Sequence, residues 1–269
     1  VNSEPRTPAP FGRRLLAIVE RRVLGAYLVL AAEDTDGPAP RAGQFYMLAA
    51  ARRWGGGADE RPFLPRAFSV LRARDRRLEF MLEAVGPGTE RLCELGPGDG
   101  LHVTGPLGVG FAEPGDGRRA LLCGGGVGAA PLAIWQDELL ARGRPAPALL
   151  GFRDAGHAPG ATLLHNARVA TDDGSRGHHG LVTDLLADEL ETGAGVVVYA
   201  CGPPPMLEAV RALCAARAVP CQLALEAGMA CGFGACFGCV VALRDGGYLR
   251  LCVDGPVVDG ARLAAVAAP

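Results

Sequence analysis

Four cysteines, Cys231, Cys236, Cys239 and Cys252, crowd the last part of the chain with the spacing C-x4-C-x2-C-x12-C. Thiolates gathered this way bind a metal centre, and two chemistries compete. A structural zinc site also takes four cysteines, but zinc ribbons favour two separated C-x2-C knuckles, and here only Cys236 and Cys239 have that spacing. The x4-then-x2 order is the plant-type [2Fe–2S] pattern, whereas bacterial [4Fe–4S] runs use x2, x2 and x3. Gly232, Gly234 and Gly238 stand between the ligands, where bare backbone can approach closely and turn N–H groups toward sulfur. The spacing therefore predicts a [2Fe–2S] cluster on these four residues. The other five cysteines, Cys93, Cys123, Cys201, Cys214 and Cys221, sit singly in apolar surroundings and read as small buried hydrophobes.

Three further stretches carry residue types suited to nucleotides. Arg66-Ala67-Phe68-Ser69 opens a strand after Pro65. A guanidinium there can fork onto pyrophosphate oxygens while the serine hydroxyl adds a neutral donor. On those four residues alone a merely solvated arginine explains as much. Downstream, Met81, Leu82 and Glu83 lie on a strand that can line a flavin, and Gly86 to Leu92, including Gly88 and Thr89, reads as a turn feeding a helix start. Gly124, Gly125, Gly126, Val127 and Gly128 follow a strand and open a helix, which suits a dinucleotide phosphate, although the register departs from G-x-G-x-x-G and a tight structural turn also accounts for it. Tyr199-Ala200-Cys201-Gly202-Pro203 ends a buried strand where ligands of open parallel sheets bind, so Cys201 and Gly202 are the candidates to face a nicotinamide ring; a plain turn with a core cysteine competes.

The elements that must position these residues fall into three regions. Residues 1–112 form short β-type runs (Leu15–Glu20, Val23–Ala32, Gln44–Ala49, Ala67–Arg72, Arg77–Ala84, Leu101–Thr104) broken by turn residues, which predicts a closed antiparallel barrel. Arg52 to Glu60, with its Gly55-Gly56-Gly57 run, reads as a flexible insertion. From 113 to 224 strands alternate with helices, including a helix from Val182 that Thr183 is placed to cap and one opened by Pro204 or Pro205, so an open parallel sheet is expected. Residues 225–269 have too little apolar periodicity for a core of their own and need the cysteine staple. The fold class is thus multidomain β plus α/β with a small C-terminal cluster module. With 49% apolar and 21% charged residues, 39 glycines and 21 prolines in 269 residues, and a net charge of −2, the chain reads as globular, with no broad attraction for nucleic acid or anionic membrane. No run of apolar residues reaches spanning length and no secretory pattern opens the chain, so a cytoplasmic location is expected.

Taken in order, Arg-x-x-Ser, Gly-x-Gly-Thr, Gly105-Pro106-Leu107-Gly108, the triple-glycine turn, Cys-Gly-Pro and then the cysteine loop with Cys252-Val253-Asp254-Gly255-Pro256-Val257 resemble the ferredoxin–NADP reductase superfamily. Within it the chain is most similar to the electron-transfer subunits of bacterial dihydroorotate dehydrogenase B, roughly from Leu15 to Val258. The resemblance implies FAD on Arg66 to Ser69, Met81 to Glu83 and Gly88-Thr89, the cluster on the four cysteines, and NAD as exchangeable co-substrate. It also implies an FMN-containing, dihydroorotate-oxidising partner, two of each subunit, in pyrimidine biosynthesis. The chain departs from the family's usual residues at Ala67, Pro87 and Val253. Arg153-Asp154, after the second strand of the nucleotide region, offers both an acid for a ribose hydroxyl and a cation for a 2′-phosphate; the resemblance favours NAD. A flavin and iron–sulfur diaphorase subunit of another complex, or a zinc-stapled binding module without redox activity, are the competing readings.

Overall fold

The computed structural model describes residues 12–56, 61–115, 117–192 and 195–266. Its first part is a seven-stranded antiparallel sheet: β1 (Arg13–Leu24), β2 (Tyr27–Glu33), β3 (Phe45–Ala50), β4 (Arg66–Ser69), β5 (Arg72–Arg74), β6 (Arg77–Leu82), helix α1 (Pro87–Cys93) and β7 (Gly100–Leu107), in the order β4-β3-β7-β1-β2-β6-β5. Alternation along β1 turns Leu16 and Ile18 inward, while β3 is buried along its whole length, so the sheet curls around Tyr46, Leu48 and Phe80. The ladder does not close. β4 and β5 are its edges, and β4 nears β6 without pairing to it, which makes a half-barrel where a closed barrel was expected.

One strand boundary is also corrected. Val23–Ala32 is not one strand but the end of β1, a turn at Gly25 and Ala26, and most of β2; Gly25 takes a φ of +60° that a side chain disfavours. The hairpin tip leans on the second sheet: the Ala26 N–H donates to the Gly156 carbonyl at 2.8 Å.

The second part comprises β8 (Arg119–Gly125), α2 (Ala129–Ala141), β9 (Ala148–Phe152), β10 (Ala167–Thr171), β11 (His178–His179), α3 (Val182–Thr192), β12 (Val196–Cys201), α4 (Pro204–Ala216) and β13 (Cys221–Ala224). Strands β8 to β13 pair in parallel in the order β11-β10-β9-β8-β12-β13, and their apolar runs are buried on both faces, as a helix-covered sheet requires. Pro204 and Pro205 occupy the first turn of α4. Thr183 does not cap α3: it lies inside the helix, and the Asp184 carboxylate takes the Leu181 N–H at 2.9 Å.

The tail adds β14 (Val240–Ala242), β15 (Tyr248–Arg250), α5 (Leu251–Asp254) and β16 (Val257–Asp259). Its last strand pairs antiparallel with β13, so the chain returns to the parallel sheet after the cysteine loop. This end is therefore anchored by a ladder, which apolar periodicity alone did not reveal.

Polar contacts lock the two sheets together. Arg72 of β5 reaches Asp137 of α2 at 3.0 Å and the Leu163 carbonyl at 2.7 Å, and the Ala42 N–H donates to Glu138 at 3.0 Å. The connection between the sheets is pinned where Tyr199 Oη donates to the Ala112 carbonyl at 2.8 Å.

Candidate functional site

Two cavities open where the half-barrel, the parallel sheet and the tail meet. The first, of about 540 Å³, is walled by Arg66 to Ser69 of β4, Met81 of β6, Thr89, Val127, Cys201 and the segment from Leu225 to Ala230. The second, of about 560 Å³, lies at the carboxyl edge of β8, β9, β10 and β12. Val127 and Glu226 border both.

Arg66 is the one cation among the described residues lining the first cavity. Its guanidinium donates to the Leu64 carbonyl at 2.6 Å and lies over bare backbone at Gly88, where a Cβ would stand 2.5 Å from Arg66 Nε. Gly88 is thus a close-approach glycine. Thr89 borders the cavity, but its hydroxyl is occupied inside the turn: it accepts from the N–H groups of Val85 (2.8 Å) and Gly86 (3.1 Å) and donates to the Gly86 carbonyl (3.0 Å). Ala67, Phe68 and Ser69 line the cavity with Arg66, and Met81 faces it from β6. Leu82 is wholly buried in the half-barrel core. Glu83 turns the other way, to the second cavity, where His157 Nε2 stands 3.3 Å from its carboxylate. The cavity therefore presents one phosphate-binding fork and apolar walls, which fits the diphosphate and ring of a flavin dinucleotide.

The glycine turn divides its work. Gly125 and Gly126 line the second cavity, and Gly126 has a φ of +56°. Gly124 and Gly128 serve packing instead: a Cβ at Gly124 would meet Leu132 and Leu150 at 2.9 Å, and one at Gly128 would strike the Cys201 carbonyl. Gly202 borders the second cavity and Cys201 the first. A Cβ on Gly202 would come within 2.7 Å of Met206 Sδ and 3.0 Å of the Gly125 nitrogen, so the ends of β8 and β12 meet through bare backbone. Arg153 and Asp172 also face this cavity. Asp154 is occupied within its own loop: its Oδ1 meets His157 Nδ1 at 2.7 Å and accepts the N–H groups of Gly156 and His157, a set of contacts led by the His157 ring that holds its pKa below the usual carboxylate range. Of the Arg153-Asp154 pair, the arginine is the one that lines the site.

Sequence reasoning left Glu226 without a role. It opens onto both cavities and keeps solvent-accessible surface, yet protein surrounds it closely enough that desolvation raises its carboxyl pKa. Burial, with Glu226 nearby, pushes the Cys201 thiol well above its ordinary range, so Cys201 stands there as a neutral group. The signal for Glu226 was its place at the head of the cysteine motif, but only packing shows which way it faces.

The four loop cysteines form two thiol pairs. The thiol of Cys231 interacts with that of Cys236 and the thiol of Cys252 with that of Cys239, and the Cys252 N–H approaches Cys239 Sγ at 3.4 Å. Gly238 donates to Cys236 Sγ at 3.5 Å. Burial pushes the Cys231 thiol up, but the N–H groups of Cys236, Phe233 and Ala235 and the Cys236 thiol outweigh it and bring the group down to about 6. Burial and the Cys239 thiol raise Cys252 to about 12. Among the described residues no three such side chains converge on a point that could hold one ion. Two pairs fit a binuclear centre, with two thiolates for each iron, better than a single tetrahedral zinc. Gly232, at a φ of +79°, sets the loop against the half-barrel: a Cβ there would reach Met47 at 2.6 Å.

Comparison with known proteins identifies the class and then the family. The fold is that of ferredoxin reductase-like flavoproteins: the structure of an NADH-dependent reduced ferredoxin–NADP oxidoreductase superposes with a TM-score of 0.81 at 24% identity, covering 95% of this chain and 91% of that one. Residues 226–264 match the iron–sulfur cluster binding domain of dihydroorotate dehydrogenase B. The dihydroorotate dehydrogenase B (NAD⁺) electron transfer subunit of Geobacillus thermodenitrificans is 36% identical over 263 residues, 91% of this chain and 96% of the relative. That of Caldanaerobacter subterraneus subsp. tengcongensis is 37% identical over 228 residues, 83% and 87% of the two chains. The chain belongs to this family of electron transfer subunits.

Proposed function

We propose that this chain takes electrons from a dihydroorotate-oxidising FMN subunit through a [2Fe–2S] cluster and FAD and delivers them to NAD⁺, in pyrimidine biosynthesis. Family membership supports the reading, and the observation that carries it is continuity. Residues 225–230 wall the first cavity and run directly into Cys231, the first cluster ligand. Through Val127 and Glu226 the same place adjoins the nucleotide cavity.

FAD, when bound between the cluster and NAD⁺, supplies the exchange between one-electron and two-electron carriers. The chain's own residues bind, orient and exclude water. Arg66 and Ser69 hold the flavin diphosphate, while Phe68, Met81 and Val127 give the ring apolar walls. Gly125 and Gly126 admit the nucleotide pyrophosphate at the sheet edge, and Cys201 and Gly202 sit where the nicotinamide approaches. Cys231, Cys236, Cys239 and Cys252 hold the cluster, with backbone N–H groups directed at sulfur. Glu226, its pKa held up by desolvation, carries a proton on its carboxylate between solvent and the flavin cavity.

We assign residues 1–112 to FAD binding, 113–224 to NAD binding and 225–269 to the cluster, with two copies of each subunit in a cytoplasmic complex. No helix among the described residues is long and apolar enough to cross a membrane. Anaerobically purified protein tests the reading through its iron, acid-labile sulfide and flavin content. NADH should bleach the flavin absorbance, whereas dihydroorotate should do so only after the FMN subunit is added. Protein lacking iron and sulfide would sink the proposal.

A further inference from the structure

Arg66 faces the flavin cavity from an edge strand, where a long side chain would ordinarily sample many rotamers and lose that freedom on binding. Three contacts hold it in place. Its Nη1 donates to the Leu64 carbonyl at 2.6 Å, bare backbone at Gly88 lies beneath its Nε, and its Cζ stands 5.8 Å from the centre of the Trp54 ring. No carboxylate is paired with it among the described residues, and it is the one cation lining this cavity among them. Among the described residues, this guanidinium is the cation placed to meet a diphosphate's charge.

Trp54 lies in the stretch read as a flexible insertion, of which residues 57–60 lie outside the described residues. The described part is tied down. The Gly55 N–H donates to the Pro62 carbonyl at 2.8 Å, and Arg91 of α1 reaches the Arg52 carbonyl at 3.3 Å. Trp54 packs on the half-barrel core, and its indole N–H is buried with no hydrogen-bond partner among the described residues, so no hydrogen bond of its own fixes the ring there. It does not line the cavity. Among the described residues, the ring's specific polar contact is the Arg66 guanidinium.

We propose that Trp54 is a positioning residue for the cofactor site: its ring holds the Arg66 guanidinium, against Gly88, in the orientation that forks onto the flavin diphosphate. The inference rests on the FAD reading above. An aromatic platform suits this task because it attracts the cation without using its N–H groups, two of which a bidentate salt bridge to a carboxylate would occupy. Binding then freezes fewer rotors, and the gain appears as affinity.

The test is a double-mutant cycle on the full, cluster-loaded chain, stripped of flavin and retitrated with FAD by fluorescence quenching. W54A should weaken FAD binding by roughly 3- to 30-fold, the range expected for a partly desolvated cation–π contact. In an R66Q background the same substitution should change affinity by less than about 2-fold, because its only route of action has gone. W54F, which keeps a smaller ring, should fall between wild type and W54L, and that pair carries the test if W54A does not fold. Equal losses in the Arg66 and R66Q backgrounds would show a merely structural role and overturn the proposal, as would W54A and W54L binding FAD like wild type. A wild-type chain that takes up no FAD overturns the cofactor reading itself, which distinguishes the two failures.

Discussion

The two cavities have nearly the same volume, about 540 and 560 Å³, yet they are built from different material. The first is assembled from side chains of distant parts of the chain: β4, β6, the end of β12 and the segment before Cys231. A ligand there is clasped by a charged fork and by apolar walls that no single segment supplies. The second is largely the carboxyl edge of one sheet, where Gly125, Gly126, Gly151 and Gly202 expose backbone. Bare backbone lets a ligand approach the sheet edge closely, while Glu83, Arg153, His157 and Asp172 face it from around the opening. On the proposed function the contrast is a division of labour: the first cavity would hold the resident cofactor and the second a nucleotide that must leave every turnover.

This division can be broken at chosen places. Cys239→Ser, which removes a ligand from one thiol pair, should reduce electron transfer from the FMN partner to background while NADH-to-dye activity survives. Loss of both in stopped-flow assays would mean that the cluster does not lie on the partner's side of the flavin. Gly202→Val should strike only the second cavity, since its Cβ is directed at Met206 and the Gly125 nitrogen. The Kd for NADH should rise roughly 10- to 100-fold, as for an overpacked site costing about 1–3 kcal/mol, with the FAD content of purified protein unchanged.

Glu226→Gln tests the one acid that borders both cavities. Flavin reduction by single electrons from the cluster, which must take up a proton from outside the ring, should slow by at least about 10-fold, a modest general acid–base effect, with little change in either ligand's affinity. NADH reduction, whose hydride brings its own hydrogen, should keep its rate. The pH arm has a definite sign. Because desolvation raises the Glu226 pKa, its proton is held above the usual carboxylate range and is lost as pH rises through the raised value. The wild-type rate should decline across that window, and the Gln variant should lack the decline. The same raised pKa means the folded state binds the proton more tightly than the unfolded chain, so Glu226 lowers stability as pH climbs from the unfolded pKa through the folded one. Thr89→Val should have the smallest effect. It removes the hydroxyl bonds inside the turn, for a loss of about 1 kcal/mol, read as a melting-temperature drop of about 2–4 °C.

The iron–sulfur domain could be read from the sequence because its chemistry is local: loop length and glycine placement decide whether thiolates can surround one object. The alternation of strands and helices in the second region was equally readable, since each element's period reports its own burial. The cavities were harder. Gly124 and Gly128 look like Gly125 and Gly126 in the sequence, but the first pair packs against side chains and a carbonyl while the second faces the ligand space. Asp154 has the composition of a ribose acceptor, yet its carboxylate is occupied by its own loop. Trp54 sits among residues that signal flexibility, and its contact with Arg66 joins segments whose order in the chain says nothing about their meeting.

The amino-acid sequence by itself determined the iron–sulfur domain that residues 226–264 match and the succession of strand-rich, alternating and cysteine-rich stretches, because these depend on near neighbours in the chain. Only the tertiary structure decided that β16 returns to the parallel sheet, that the half-barrel stays open at β4 and β5, and that Glu226 borders both cavities. Those features depend on which distant surfaces pack together. A residue's type sets what it can do, and the neighbours that folding brings to it set what it does.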